Sequence, residues 1–255
     1  MTSSVKMSRK HGIKSTRGVW FVIFTLAIFF ISCLFFLANA EAYSMTTKIV
    51  NCPVCGEKVT IFETAGMTVS GKYRDFQWKV NGPYYEHLFG SCSVCHFAGL
   101  TCDFSQEVAV DIKEKVLKQL MPMFPGKKLT WIEQCEFAAK IHEWQKKRNE
   151  RIADIYLIAS YLCRIRGECS DSKRMKFQAL ACDYFIKALE GNEIKAEGRW
   201  EISYLIAELY RRQGNFERAI YWYDITLKEK NPDEFRETIL EQREMAKNKD
   251  SNNDI

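Results

Sequence analysis

Cys52-Pro53-Val54-Cys55 and Cys92-Ser93-Val94-Cys95 are two cysteine pairs of one spacing, about forty positions apart in a chain of 255 residues. A thiolate is both a nucleophile and a soft metal ligand, and two C-x-x-C pairs are the usual protein supply for one tetrahedral zinc ion. Cys52, Cys55, Cys92 and Cys95 are therefore the candidate metal ligands. Four protein sulfurs leave zinc no open position for water, so the expected role is structural. Cys102, His87 and His96 lie near in sequence and are the available substitutes, although each reads first as a packed or surface residue.

Three other chemistries use the same residue types. Oxidation could close the pairs as disulfides. Nine of the ten cysteines follow residue 40, an odd number, and five of these lie outside the pairs at irregular spacing on expected helices. That is not a disulfide scaffold. Cys92-Ser93-Val94-Cys95-His96 is also C-x-x-C-H, the attachment signature of c-type haem, with His96 as one axial ligand and Met121 or Met123 as the other. That alternative, a haem redox protein, leaves the upstream pair without a role. A thiol–disulfide oxidoreductase is the third, and the βαβ surroundings of such a motif are missing around both pairs.

No other catalytic pattern stands beside the cysteines. The chain lacks G-x-S-x-G, H-E-x-x-H and a phosphate-binding glycine loop. His142-Glu143 has no second histidine four residues on. Glu133 and Glu136 read as ordinary exposed helix acids. A Cys135–His142 nucleophile pair, about two helical turns apart, has no third group to orient it. The reading is non-enzymatic.

Rigid elements must bring the cysteines together. Residues 58–64, 67–72 and 75–81 mix β-branched and aromatic residues, and Gly66, Gly71 and Asn81-Gly82-Pro83 mark turns. The segment 46–104 thus reads as a small β-rich domain. CPVCG precedes the first strand, and a metal knuckle turns its backbone so that amides point at the sulfurs, a turn that Gly56 permits. So short a segment buries a thin core. A bound zinc ion would contribute folding free energy outright, on the order of 10 kcal/mol in isolated fingers.

CPVCG, Arg74-Asp75-Phe76, Gly82-Pro83-Tyr84-Tyr85-Glu86, and CSVC followed by His96-Phe97-Ala98 together resemble the bacterial domain-of-unknown-function family 2225. That family's pattern has a CP-x-C-G knuckle, an acidic residue followed by aromatics, a Pro-x-Tyr step, and a second C-x-x-C-G-Tyr-Ala knuckle. The resemblance covers residues 50–104 and implies a metal-knuckle fold with no established activity. Ser93 stands where the family's usual Pro would be, and His96 where its usual Gly would be. The second departure creates the C-x-x-C-H string, so the haem signature reads as a substitution within a zinc knuckle. A position outside the cytoplasm is less usual for such a domain.

From Ser105 onward the apolar period becomes helical. Val108, Ile112, Val116, Leu117 and Leu120 mark one face, with Ser105 as cap and Pro122 as stop. Thr130-Trp131-Ile132-Glu133 is a capping-box start. Further helices are expected near 149–166, 173–190, 195–213, 216–230 and 233–247. An all-α domain therefore spans 105–248, followed by a flexible polar tail, 249–255. Ala181, Phe185 and Ala188 recur as Ala219, Tyr223 and Thr226 at a constant offset of 38, the second copy preceded by Ala207, Tyr210 and Gly214-Asn215-Phe216. This resembles the tetratricopeptide repeat, which needs small residues where its two helices pack closest. The likeness covers residues 150–232 and implies a concave surface for a protein or peptide partner. The first copy has a longer turn, 164–172, than the usual period accommodates, and plain antiparallel helices with an alanine seam are the simpler alternative. Trp131, Trp144, Trp200 and Trp222 read as core, and Lys146-Lys147-Arg148 as a solvated face.

Five of the 37 basic residues fall within residues 1–40, where there is no acid, so the remainder carries 32 of each sign. A formally neutral body argues against a nucleic-acid partner, which needs a clustered basic excess. Those basic residues precede an apolar run, 19–37, then Ala38-Asn39-Ala40, the pattern of a secretory signal cut after Ala40. The competing reading is an uncleaved membrane anchor, since a run of roughly twenty apolar residues can span a bilayer. A lipoprotein cut before Cys33 fits poorly, because apolar residues continue past it. Each route places the body outside the cytoplasm, in the periplasm or secreted. The expectation is an α+β protein: a small β-rich zinc-knuckle domain followed by an all-α tetratricopeptide-like helical domain, exported, and serving as a binding or scaffold module.

Overall fold

A computed structural model describes residues 43–167 and 169–252. The expected signal or anchor over residues 1–40, its apolar run 19–37 included, lies outside the described residues, as do positions 253–255 of the expected tail. Among the described residues no helix is long and apolar enough to cross a membrane. The architecture is α+β, with small antiparallel sheets followed by a helical region.

Among the described residues six strands form three two-stranded hairpins: β1 (Ser44–Asn51) with β2 (Lys58–Gly66), β3 (Val69–Lys72) with β4 (Trp78–Val80), and β5 (Phe89–Ser91) with β6 (Ala98–Leu100). Period-two burial marks β2, where Val59 and Ile61 point inward and Lys58 and Thr60 outward. The β5–β6 hairpin lies against β2. Gly90 permits this approach, because a Cβ there would come within 2.9 Å of the Phe104 ring and 3.0 Å of Ile61.

Seven helices follow among the described residues: α1 (Val110–Lys115), α2 (Trp131–Trp144), α3 (Asn149–Arg166), α4 (Asp171–Glu190), α5 (Arg199–Arg212), α6 (Phe216–Lys228) and α7 (Asp233–Lys247). The capping box at α2 forms in both directions: Glu133 N donates to Thr130 Oγ1 at 3.3 Å, and Thr130 N donates to Glu133 Oε2 at 2.7 Å. Gly167, at φ 63°, ends α3. One expectation shifts. The first helix starts at Val110 rather than near Ser105, which belongs to a tight turn, and Leu117 faces solvent while Val108, Ile112, Val116 and Leu120 are buried.

From α2 onward successive helices pack on one another, and α2 lies across the β5–β6 hairpin. One hydrophobic core runs from Ile61, Phe89 and Phe97 through Ala138 and Leu162 to Phe185 and Tyr223. At the seams of the helical region, Ala181, Phe185, Ala188, Ala219, Tyr223 and Thr226 are all fully buried. Trp200 is buried, and Trp131, Trp144 and Trp222 lie half-buried against the core.

A charged network crosses that core. Asp75, in the β3–β4 turn, accepts from Arg164 Nη1 of α3 at 2.9 Å and from Arg212 Nη1 of α5 at 2.8 Å. Arg212 Nε also donates to Glu208 Oε1 at 2.7 Å, and Arg211 and Tyr223 donate to the same carboxylate. Burial opposes ionisation of Glu208, but the hydrogen bond from Arg211 and the charges of both arginines hold its pKa below the usual carboxylate range. Arg211 Nη1 reaches on to the carbonyls of Asp250 and Asn252, at 2.9 and 3.0 Å. The β-rich segment, α3, α5 and the residues after α7 are thus joined by one set of buried charge contacts.

Candidate metal centre

Each C-x-x-C pair is the tip of a hairpin. Asn51 pairs with Lys58 across the first tip, and Ser91 pairs with Ala98 across the second. The two turns repeat one another. Cys52 N donates to Glu57 O at 2.7 Å and Gly56 N to Cys52 O at 2.9 Å; Cys92 N donates to Phe97 O at 2.8 Å and His96 N to Cys92 O at 3.0 Å. Both turns need a left-handed residue after the second cysteine: Gly56 has φ 79° and His96 φ 59°. The amides of Val54 and Cys55 hydrogen-bond the Cys52 sulfur, and those of Val94 and Cys95 the Cys92 sulfur.

The tips face each other. Cys52 Sγ lies 3.5 Å from Cys95 Sγ, Cys55 Sγ lies 3.5 Å from Cys92 Sγ, and all four sulfurs fall within 4.8 Å of one another. This group could hold a metal ion, and the four cysteines are those that the sequence spacing picks out. Sulfurs about 2.3 Å from a shared tetrahedral centre stand about 3.8 Å apart, which fits; a disulfide needs about 2.05 Å. Cys52, Cys92 and Cys95 are buried and Cys55 is exposed.

The cysteines of the cluster titrate as a coupled set. Hydrogen bonds from Cys52 and Cys95 pull the Cys92 thiol far down; the contact with Cys92 and burial push Cys52 up to about 12 against the opposing contact with Cys95, and the contacts with Cys52 and Cys92 push Cys95 higher still. One thiolate is stabilised by its neighbours and each further one is opposed. A bound cation would reverse that opposition.

The residues of the C-x-x-C-H string face other groups than a haem would need. Cys92 and Cys95 have no exposed surface and their sulfurs face the other cysteine pair. His96 Nε2 is 2.7 Å from the Phe124 carbonyl, which only accepts, so Nε2 carries the proton and donates. Among the described residues its buried Nδ1 has no partner. Met121 and Met123 are exposed. The substitutes are likewise engaged elsewhere: His87 stacks on Phe62 at 4.1 Å and its Nδ1 is 2.8 Å from Tyr43 Oη, while Cys102 Sγ accepts from Arg151.

The other candidates from the sequence have the following surroundings. Cys135 is fully buried, and burial drives its thiol pKa up, away from nucleophilic reactivity. His142 Nε2 is turned to Asp103 Oδ2 at 2.9 Å. Glu133 caps its own helix, and Glu136 pairs with Lys173 at 3.2 Å.

Two features were missed from the sequence. Cys163 and Cys169 form a disulfide across the end of α3. The available signal was a six-residue separation bracketing the helix stop at Gly167. Asp75 and Glu86, two acids of the family-like motif, anchor the β-rich segment to the helices: Glu86 Oε1 pairs with Arg166 at 2.5 Å, just as Asp75 pairs with Arg164 and Arg212. Tyr161 Oη also donates to the Asp75 carbonyl.

No curated protein and no solved structure matches the chain. No family match supports a tetratricopeptide repeat in the helical region. One family model, described as an uncharacterized protein conserved in bacteria (DUF2225), matches residues 45–250, which takes in the knuckles and nearly all of the helices. The chain belongs to that bacterial family, DUF2225.

Proposed function

We propose that this is an exported protein in which Cys52, Cys55, Cys92 and Cys95 hold a structural zinc ion, and that its helices form a tetratricopeptide-like, non-enzymatic module for a protein or peptide partner. The observation that carries the zinc reading is the facing of two matched knuckles with four sulfurs within 4.8 Å. Sulfur-only ligation at this spacing suits zinc, and a full set of protein ligands suits a structural role. The fully buried alanine, aromatic and threonine positions at the helix seams support the repeat likeness. Export rests on the basic start and the apolar run of residues 19–37, and a disulfide at Cys163–Cys169 suits an oxidising compartment. If the apolar run is retained, the membrane is a further partner. The neutral body gives no reason to expect nucleic acid.

Elemental analysis of purified protein tests the centre, with an expected content of one zinc per chain. The variant Cys52→Ser/Cys95→Ser should lose the metal and unfold at markedly lower temperature. Unchanged metal content and melting point in that variant would sink the proposal. A covalent Soret band in protein made by a host competent for cytochrome c maturation would replace it with the haem reading.

A further inference from the structure

A cavity of about 500 Å³ opens between the β3–β4 hairpin and helices α3, α4 and α5, and none of the four knuckle cysteines lines it. Its walls are aromatic: Phe76, Trp78, Tyr84, Tyr85 and Tyr161 all contribute. Trp78 and Tyr84 stack at 5.9 Å, and Tyr85 meets both Tyr84 and Tyr161 edge to face at 5.0 and 5.5 Å. These rings are braced: Tyr85 Oη accepts from Trp78 N at 2.6 Å, and Tyr161 is tied to the Asp75 carbonyl. The aromatic surface is therefore preformed.

Three charged side chains line the same cavity: Lys72, Asp154 and Glu201. Among the described residues, none of the three makes a side-chain hydrogen bond or ion pair, whereas Asp75, Glu86, Asp103 and Glu208 are all paired with arginine. Asp154 is open to the water of the cavity. The protein packed around it pushes its pKa up, Glu150 adds to that push, and Arg151 opposes it without cancelling it. Solvent at the mouth screens part of this effect. Its carboxylate is left short of positive charge. Once the pH exceeds the Asp154 pKa, pushed up to about 7, two unpaired acids against one lysine give the lining an excess of negative charge.

Lys72 shows which group the rings accept. Its Nζ lies 5.7 Å from the Phe76 ring centre and 5.8 Å from that of Trp78, within the range of cation–π attraction. The chain's own ammonium occupies the aromatic face.

From these observations we propose that the cavity binds a small organic ammonium ion, its cationic head on the Phe76–Trp78 face and its charge balanced by Asp154 and Glu201, with Lys72 as the resident cation that the ligand displaces. Aromatic faces with an adjacent carboxylate are the usual protein solution for quaternary ammonium groups, which cannot donate hydrogen bonds. The site is separate from the cysteine centre and does not depend on which metal that centre holds.

The test is titration calorimetry on the full chain with two probes of one shape, choline and the neutral 3,3-dimethylbutan-1-ol. Choline should bind at least about tenfold more tightly than its neutral isostere, the factor that a partly desolvated cation–π contact supplies. Asp154→Asn/Glu201→Gln changes charge and hardly changes volume, so it should keep the melting temperature and lose the preference. Lys72→Gln should strengthen choline binding, because the competing ammonium is gone. Equal affinity for the two probes, no saturable choline binding, a preference that survives the double variant, or no gain with Lys72→Gln would each overturn the proposal.

Discussion

His96 shows how a single side chain can carry a signature for one chemistry and serve another. It occupies the left-handed position that Gly56 fills in the first knuckle, at a cost of roughly 1 kcal/mol for a residue with a Cβ. Against that cost stand a buried imidazole, its bond to the Phe124 carbonyl, and edge contacts to Phe124 and Phe137 at 6.3 and 6.5 Å. Replacing it with glycine, His96→Gly, relieves the backbone but empties a fully buried site and removes the bond. Denaturant unfolding should show a net loss of about 2 kcal/mol. Metal content should not change, since the imidazole is outside the sulfur cluster. A stabilised variant, or one that loses metal, would contradict this account of the residue. At this scale the four cysteines were legible because spacing alone defines a knuckle. The use made of His96 was not, since its partner lies 28 residues on in a loop that no periodicity marks.

Among the elements, those with strong end signals were readable and those without were not. The expected helix over 149–166 matches α3, and 233–247 matches α7, because Gly167 stops one and Pro232-Asp233 opens the other. Strands β5 and β6 escaped notice: they are three residues long, and each has a glycine at its centre, Gly90 and Gly99, which lowers strand propensity. Strand β1 is exposed along nearly its whole length and shows no alternation to detect. The disulfide at the end of α3 acts on an element too. It closes a short loop over the helix stop and fixes the turn from which Arg164 and Arg166 reach Asp75 and Glu86. Loop-closure entropy for so short a ring is worth about 2 kcal/mol. Cys169→Ser should therefore lower stability by about that amount in oxidising buffer, with no difference from the parent chain once both are treated with a dithiol. Equal stability of the two chains under oxidation would show that the bond contributes nothing to fixing α3.

For the molecule as a whole, the decisive question is whether the knuckle segment and the helices unfold together. The sequence suggested the acidic-then-aromatic step around Asp75 through a family likeness, but could not show that Asp75 would meet Arg212, a contact spanning 137 residues of chain. That contact is almost fully buried on both sides, and Arg212 shares Glu208 with Arg211 and Tyr223, so the β3–β4 turn, α5 and α6 form one electrostatic unit. Removing one partner of a buried ion pair leaves the other charge without compensation, at a cost of about 3–5 kcal/mol. Asp75→Asn keeps the shape and removes the charge. It leaves Arg164 and Arg212 facing a neutral amide, so both sides of the contact should be destabilised. Guanidinium unfolding followed at once by far-ultraviolet dichroism, which reports the helices, and by metal release to a chelating dye, which reports the knuckles, reads the coupling directly. In the parent chain the two signals should change in a single transition. In Asp75→Asn that transition should move to lower denaturant with the signals still superimposed. Metal release ahead of helix loss in the parent chain would mean that the core spanning both regions does not couple them, and that the buried charges hold the β3–β4 turn in place without making one cooperative unit of the molecule.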